Sequence, residues 1–150
     1  MQEEEKAFRA YFDTFGIEYF SAREVLYLGS SHWIPTSPAY KNNEIPPRHL
    51  WQNIIPTVKI ADMARRRVGP IRILSGYRSD GYNSAVGGAP RSLHKQFRAL
   101  DLMPVRARPA DLFDALEELR DDGAFLGGLG IYSSFIHVDT RGQNVTWDNT

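Results

Sequence analysis

Residues 129–140 read LGIYSSFIHVDT, and this stretch decides how the second half of the chain folds. Two runs rich in β-formers, LGIY and FIHVDT, are separated only by Ser133 and Ser134, and this spacing predicts a β-hairpin. In the second run His137 and Asp139 alternate with apolar residues. Because side chains alternate across a strand, we expect His137 and Asp139 on one face and the apolar residues on the other.

Helical patterns fill most of the first half of the chain, and strand patterns dominate the second. Helices are predicted at 3–13, 21–28, 47–67 and 109–122, and further strands at 71–74, 97–102 and 145–147. Pro56 is expected to kink or split the third helix, and residues 30–47 are expected to form a long loop. This order favours an α+β fold with a mostly antiparallel sheet flanked by helices, and a length of 150 residues suits a single domain over 1–150.

Composition excludes several classes of site and partner. The chain has no cysteine, so disulfides, zinc–thiolate sites and a cysteine nucleophile are excluded. It carries 18 basic and 18 acidic residues, and this zero net charge argues against a nucleic-acid partner. Oligomeric state is not decided by these totals.

The N-terminal sequence MQEEEKAFRAYFD lacks the basic and apolar regions of a signal peptide. No apolar run approaches the ~18 residues of a membrane span. We therefore expect neither a secretion leader nor a membrane span, and the cellular location stays open.

Residues 92–101, SLHKQFRALD, place a charge inside an apolar strand pattern. Asp101 shares a strand face with the small Ala99, and a buried carboxylate requires an ion-pair partner or a metal. His94, Asp101 and His137 together would form a set of two imidazoles and one carboxylate. Such a set suits a catalytic zinc ion with a fourth position open for water, whose pKa zinc lowers to around 7.

Simpler interpretations of the same residues remain open. Isolated histidines are usually ordinary hydrogen-bonded residues, and a spacing of seven between histidine and aspartate is weak evidence alone. Asp139 pairs with Arg141 in one such interpretation. In another, Asp101 pairs with Arg98 or Arg106.

Three segments resemble a known family. SLHKQFRALD is similar to the S-x-H-x-x-G-x-A-x-D signature of the zinc D-Ala-D-Ala carboxypeptidase and L-alanyl-D-glutamate endopeptidase family, which are peptidoglycan peptidases. SGYRSDGYNSAVGG and GGLGIYSSFIHVDTRG resemble two further motifs of that family, in the same order, within residues 71–142. FSAREVL near the N-terminus is also typical of some members.

The resemblance implies the hedgehog/DD-peptidase fold, with Zn2+ bound by His94, Asp101 and His137. It also implies that Arg78 binds the substrate and stabilises charge on the scissile carbonyl, a role that suits a permanently charged planar group. The alternative for Arg78 is a structural ion pair with Asp80.

The chain departs from the family pattern at two positions. Phe97 replaces the usual glycine, and we expect a regular backbone there with the ring packed inside. Ser134 replaces the glutamate that serves as general base in E-x-x-H members. Asp139 is then the candidate base, the alternative being that it only orients His137.

Three more residues are candidates for substrate binding. Tyr77 flanks Arg78, and His32 lies beside Trp33 in the predicted loop. The alternative for Tyr77 is a place in the core. Ser92 is expected to hydrogen-bond the backbone rather than act as a nucleophile.

Together these features predict a zinc-dependent peptidase that cuts peptidoglycan stem peptides or cross-links. A phage-type lysis enzyme and a cellular wall-remodelling enzyme both fit. The first alternative is a non-catalytic zinc-binding module of the same fold that binds a partner protein or wall fragment. The second is an α+β domain without metal.

Overall fold

The computed structural model describes residues 2–150, which form one five-stranded sheet with helices. The helices are α1 (Gln2–Phe12), α2 (Ala22–Val25), α3 (Ser30–Trp33), α4 (Trp51–Val68), α5 (Asp80–Ala85) and α6 (Pro109–Asp121). The strands are β1 (Ile71–Ser75), β2 (Ala99–Pro104), β3 (Gly128–Tyr132), β4 (Ile136–Asp139) and β5 (Val145–Asn149). Short 3-10 turns occur at Asp13–Phe15, Arg48–Leu50 and Leu93–Gln96.

The strands lie in the order β1-β2-β4-β3-β5. The pairs β1–β2, β2–β4 and β3–β4 are antiparallel, and only β3–β5 is parallel. The chain leaves β4 at the end of the sheet where β3 begins, so β5 must run in the direction of β3. The predicted α+β class and the hairpin at Ser133 and Ser134 are confirmed, and the sheet is mixed only at this edge.

The hydrophobic core lies against one face of the sheet. Helices α4 and α6 pack against it, and they bury Ile54, Val58, Leu112 and Leu116 completely. The strands contribute alternate residues to the same core, namely Leu100, Leu102, Leu129, Ile136 and Val138. At roughly 1.5–3 kcal/mol for each fully buried large aliphatic side chain, this face fixes the register of the central strands.

Three predictions for the first half of the chain need correction. Pro56 does not split the long helix, because α4 runs without interruption from Trp51 to Val68. The segment 30–47 is not wholly a loop, since Ser30–Trp33 forms a helical turn. The predicted capping box at Ser21 is present, with Ser21 and Glu24 exchanging hydrogen bonds, but its helix already ends at Val25.

The second predicted strand also begins later than expected, at Ala99 instead of Phe97. In β2 the core-facing residues Leu100 and Leu102 alternate with Asp101, and Asp101 pairs across the sheet with His137 of β4. The polar face of the sheet therefore brings these two side chains together.

Candidate metal centre and cleft

Three side chains converge on the polar face of the sheet. Nε2 of His94 lies 3.2 Å from Oδ1 of Asp101, and Nδ1 of His137 lies 3.4 Å from the same oxygen. One nitrogen or oxygen from each of the three residues lies within 4.8 Å of the others. The two rings meet edge to face, with centroids 5.2 Å apart. The structure thus places together the three residues that the sequence nominated as ligands.

His94 is positioned by the 3-10 turn that precedes β2. The hydroxyl of Ser92 accepts a hydrogen bond from the His94 amide and begins this turn. Nδ1 of His94 lies 2.7 Å from the carbonyl oxygen of Gly76, and because a carbonyl only accepts, Nδ1 carries the proton. Nε2 is left with its lone pair towards Asp101. Burial lowers the pKa of His94, which keeps the ring neutral.

Phe97 ends this turn in the left-handed conformation, with φ 55° and ψ 43°. The expected regular backbone is therefore wrong, whereas the packed ring is present, because Phe97 is fully buried against Phe8 and Tyr77. The left-handed conformation costs roughly 1–2 kcal/mol for a residue with a Cβ. Burial of the ring contributes roughly 1.5–3 kcal/mol, which offsets that cost.

His137 is held from the opposite side by Asp139. Nε2 of His137 lies 2.7 Å from Oδ2 of Asp139, so Nε2 donates and Nδ1 faces Asp101. Asp139 also accepts from the amides of Gly128 and Arg141 and twice from the Arg141 guanidinium. Its side chain has no exposed surface.

Charge in the cluster follows from these contacts. Burial opposes ionisation of Asp101, but the interaction with the His137 ring outweighs it and holds the pKa of that carboxyl well below its usual range. Burial likewise opposes ionisation of Asp139, and hydrogen bonds from His137 and Arg141 again keep its pKa low. For His137 itself burial is outweighed by hydrogen bonds to the two carboxylates, which raise its pKa.

Arg78 is fixed beside the cluster by three hydrogen bonds. Nε donates to Ser75, Nη1 to the amide oxygen of Asn83, and Nη2 to Oδ2 of Asp101 at 3.1 Å. A guanidinium has five N–H groups, so two remain for another ligand. The proposed Arg78–Asp80 pair is absent, since Asp80 lies 3.2 Å from Lys95 instead. Asp101 likewise pairs with Arg78, not with Arg98 or Arg106.

The cluster lies in an open cleft of about 620 Å³. The walls come from the segment 86–93, from the β3–β4 hairpin and from β5. Arg78, Arg91 and Arg141 supply positive charge to the lining, and Asp101 is its only carboxylate among residues 2–150. Tyr132, Phe135 and Trp147 form an aromatic wall. The cleft therefore offers a three-ligand centre, arginine donors and an apolar surface to one ligand.

A family model described as Peptidase M15 matches residues 41–139, about two thirds of the chain. The chain belongs to the peptidase M15 family. The matched segment contains Arg78, all three members of the cluster and Asp139. No curated protein matches the chain. Membership of this zinc-dependent family supports a metallopeptidase, and the α+β sheet is compatible with the hedgehog/DD-peptidase fold that the sequence resemblance implied.

The residues of this M15 member fit a zinc ion. In its neutral form each histidine directs a lone pair inwards, because the other ring nitrogen donates outwards, to Gly76 O and to Asp139. Two imidazoles and one carboxylate form a ligand set found in catalytic zinc sites. Because the pKa of His137 is raised, metal binding there must displace a proton.

Asp139 lies behind His137 and is not part of the cleft lining. Its two oxygens already accept five hydrogen bonds, one from His137, three from Arg141 and one from Gly128. A carboxylate so placed is a poor proton acceptor for a group in the cleft. The geometry favours the alternative in which Asp139 orients His137.

Of the three other candidate substrate-binding residues, one lines the cleft and two do not. Ser92 lines the cleft, and its hydroxyl is hydrogen-bonded to the His94 amide. Tyr77 and His32 are not part of the cleft lining. Tyr77 packs edge to face on Phe97, 6.1 Å between centroids, and Nδ1 of the buried His32 accepts from the Asn43 amide. The structure assigns Tyr77 and His32 to the packing of the fold.

The residues of the site that were not nominated from the sequence include Ser75, Asn83, Tyr132 and Trp147. Asn83 is buried, and it bridges Arg78 to the carbonyl of Ala89. A Cβ on Gly88 would collide with Asn83, so this glycine permits the contact. Trp147 lies in β5, where a short run of mostly polar residues gave no signal of a site. None of these residues has a recognisable spacing to the cluster. Strand pairing brings Ser75, Tyr132 and Trp147 there, and α5 supplies Asn83.

Proposed function

We propose that this chain is a zinc-dependent peptidase that hydrolyses peptide bonds of bacterial peptidoglycan, in stem peptides or their cross-links. The observation that carries the proposal is the placement of His94, Asp101 and His137 in a cleft directly beside Arg78. Family membership supports the metallopeptidase chemistry. We further propose that residues 1–150 act as one catalytic domain.

The three cluster residues would hold the zinc ion, and Asp139 would keep His137 in the tautomer that ligates through Nδ1. A bound zinc ion supplies Lewis acidity at the scissile carbonyl and lowers the pKa of a water molecule. Arg78 has two free N–H groups beside the cluster, and we assign them to the oxygen that becomes negatively charged during hydrolysis.

Proton transfer in this chain does not follow the E-x-x-H pattern. Ser134, at the glutamate position, is an exposed turn residue and is not part of the cleft lining. Asp101 is the only carboxylate lining the cleft among the described residues, and it is ion-paired with Arg78.

The charge of the cleft supports an anionic peptide as substrate. Arg91 is an exposed residue that lines the cleft together with Arg78 and Arg141. Peptidoglycan stem peptides carry free carboxylates along their length, so a wall of arginines suits them. A lysis enzyme and a wall-remodelling enzyme would use the same site.

The test is digestion of purified peptidoglycan with the zinc-loaded protein, followed by mass spectrometry, with a chelator in a parallel sample. We expect new muropeptides whose masses identify the bond that is cut, and their loss with chelator and in the His94→Ala variant. Zinc bound in stoichiometric amount with no products from walls of several chemotypes would overturn the proposal.

A second candidate is a non-catalytic zinc-binding module. The absence of a free carboxylate from the cleft lining of residues 2–150 is the observation that favours it. Such a module would bind wall fragments or a partner in a zinc-dependent way and release no products. The digestion separates these two functions directly.

A further inference from the structure

We infer that the hydroxyl of Tyr132 is a catalytic group, which donates a hydrogen bond to the scissile carbonyl oxygen, and that Trp147 positions it. The inference rests on the proposed peptidase function and extends it to two residues. Trp147 lies beyond the segment that the family model matches.

Tyr132 is on the same face of the sheet as the metal cluster. Gly130 pairs with His137 across β3 and β4, and Tyr132 follows Gly130 by two residues in the same strand. Its side chain therefore projects to the face of His137, as a diagonal neighbour. The ring lines the cleft and stacks on Phe135, with centroids 4.5 Å apart and planes 5° apart.

Trp147 fixes the position of the tyrosine hydroxyl. Its indole Nε1 donates to the Tyr132 oxygen at 3.0 Å. The indole also contacts the His137 ring, with centroids 5.0 Å apart, and lies under the Arg141 guanidinium at 5.6 Å. A Cβ on Gly130 would overlap the indole, so only glycine at this position admits the ring. Trp147 therefore links the tyrosine hydroxyl to His137 through one rigid ring.

The direction of this hydrogen bond leaves the tyrosine proton available. An indole N–H can only donate, so the Tyr132 oxygen acts as acceptor from Trp147. No hydrogen bond from the hydroxyl to a protein acceptor is present within residues 2–150. A hydroxyl that accepts from one neighbour becomes a better donor to the next group. Its proton can therefore be donated into the cleft.

Two neutral hydroxyls line the cleft, those of Tyr132 and Ser92. The Ser92 hydroxyl accepts from the His94 amide and begins the turn that positions a cluster histidine, whereas Tyr132 lies on the wall formed by the β3–β4 hairpin. Arg141 is committed to Asp139 through two side-chain hydrogen bonds. Tyr132 is thus the neutral oxygen donor that complements Arg78 at the reacting amide.

The experiment compares wild type, Tyr132→Phe, Trp147→Phe and the double variant on a soluble peptidoglycan peptide that the wild type cleaves. Tyr132→Phe removes only the hydroxyl and keeps the stacking on Phe135. We expect kcat to fall about 10²–10³-fold, as for loss of one oxyanion donor, with KM within about threefold. Trp147→Phe should reduce kcat less, and its effect should vanish in the Tyr132→Phe background.

Two readouts besides activity are the zinc content and the affinity for the intact peptide, measured by calorimetry at low temperature. Both should stay close to the wild-type values in each variant. The matched control is Tyr19→Phe, at a partly exposed ring away from the cleft, with unchanged kinetics. A raised KM at constant kcat, or additive effects of the two substitutions, would overturn the inference. If zinc-loaded wild type cleaves nothing, the proposed function fails first. If wild type cleaves and Tyr132→Phe equals it, only this inference fails.

Discussion

The imidazole of His137 is held between two carboxylates, with Asp139 Oδ2 at 2.7 Å from Nε2 and Asp101 Oδ1 at 3.4 Å from Nδ1. Asp139 is completely buried, whereas Asp101 lines the cleft. The two aspartates therefore have different surroundings, one within the cluster at the cleft and one behind the His137 ring.

Replacement of Asp139 by Asn should weaken zinc binding more than catalysis. The neutral amide cannot match the five donors around it, so His137 loses its orienting charge, and affinity for zinc should fall about 10–100-fold. Zinc dissociation constants and kcat at saturating zinc measure the two effects separately. Full zinc retention with a kcat loss of several orders of magnitude would instead identify Asp139 as the general base.

Replacement of Arg78 by Lys should abolish most of the activity and leave zinc in place. A lysine ammonium cannot reach Ser75, Asn83 and Asp101 at once while it presents two more donors to a substrate. We expect kcat/KM to fall about 10²–10³-fold.

The matched control for Arg78 is Arg72→Lys on the exposed side of β1, which should keep wild-type kinetics. Zinc content and circular dichroism establish that the fold of each variant is intact. An Arg78→Lys enzyme with near wild-type kcat/KM would remove Arg78 from the mechanism.

Removal of zinc should lower the thermal stability of the protein. A ligand at 100 times its dissociation constant stabilises the native state by about 2.7 kcal/mol, or roughly 5–10 °C in Tm for a chain of this size. Calorimetry with and without zinc measures this shift.

Magnesium serves as the control ion, because two imidazoles are poor ligands for a hard cation. Asp101→Asn should reduce the zinc-dependent shift strongly. An equal shift in that variant would show that zinc binds elsewhere on the protein.

At position 97 a glycine variant should be more stable than an alanine variant, which is the reverse of the usual order within a helix. Both Phe97→Ala and Phe97→Gly lose the buried ring, at about 3–5 kcal/mol. Glycine adopts φ 55° without the strain that alanine retains, so Phe97→Gly should be the more stable of the two by about 0.5–1 kcal/mol.

Urea denaturation of the zinc-free variants measures this difference. Lys59→Ala and Lys59→Gly are the control pair at an exposed site inside α4, where alanine should be favoured by about 1 kcal/mol. The same order at both positions would mean that residue 97 leaves the left-handed region once the ring is removed.

The fold was predictable where the pattern is local. The alternation in FIHVDT and the two-residue gap before it gave the hairpin, and Pro109 with a run of apolar residues gave α6. Pro56 does not split the helix because the loss of one backbone hydrogen bond is outweighed by the apolar face of α4, which is buried both before and after this residue. The conformation of Phe97 was missed because a phenylalanine seldom occupies positive φ unless tertiary packing rewards it.

For the candidate site, the types of the functional residues and their order along the chain were predictable from the sequence. SLHKQFRALD and FIHVDT supplied two histidines and two aspartates, and strand alternation already placed His137 and Asp139 on one face. The roles of the two aspartates were not readable, because they depend on which side of the His137 ring each carboxylate occupies. Pairing of β2 with β4 puts Asp101 on the cleft side of the His137 ring. On the opposite side, backbone amides and the Arg141 guanidinium surround Asp139 and separate it from the cleft. The tertiary structure also brought Tyr132 and Trp147 together. Their contact requires β5 to pair with β3 and Gly130 to leave room for the indole. Both are long-range relations, which no local sequence pattern encodes.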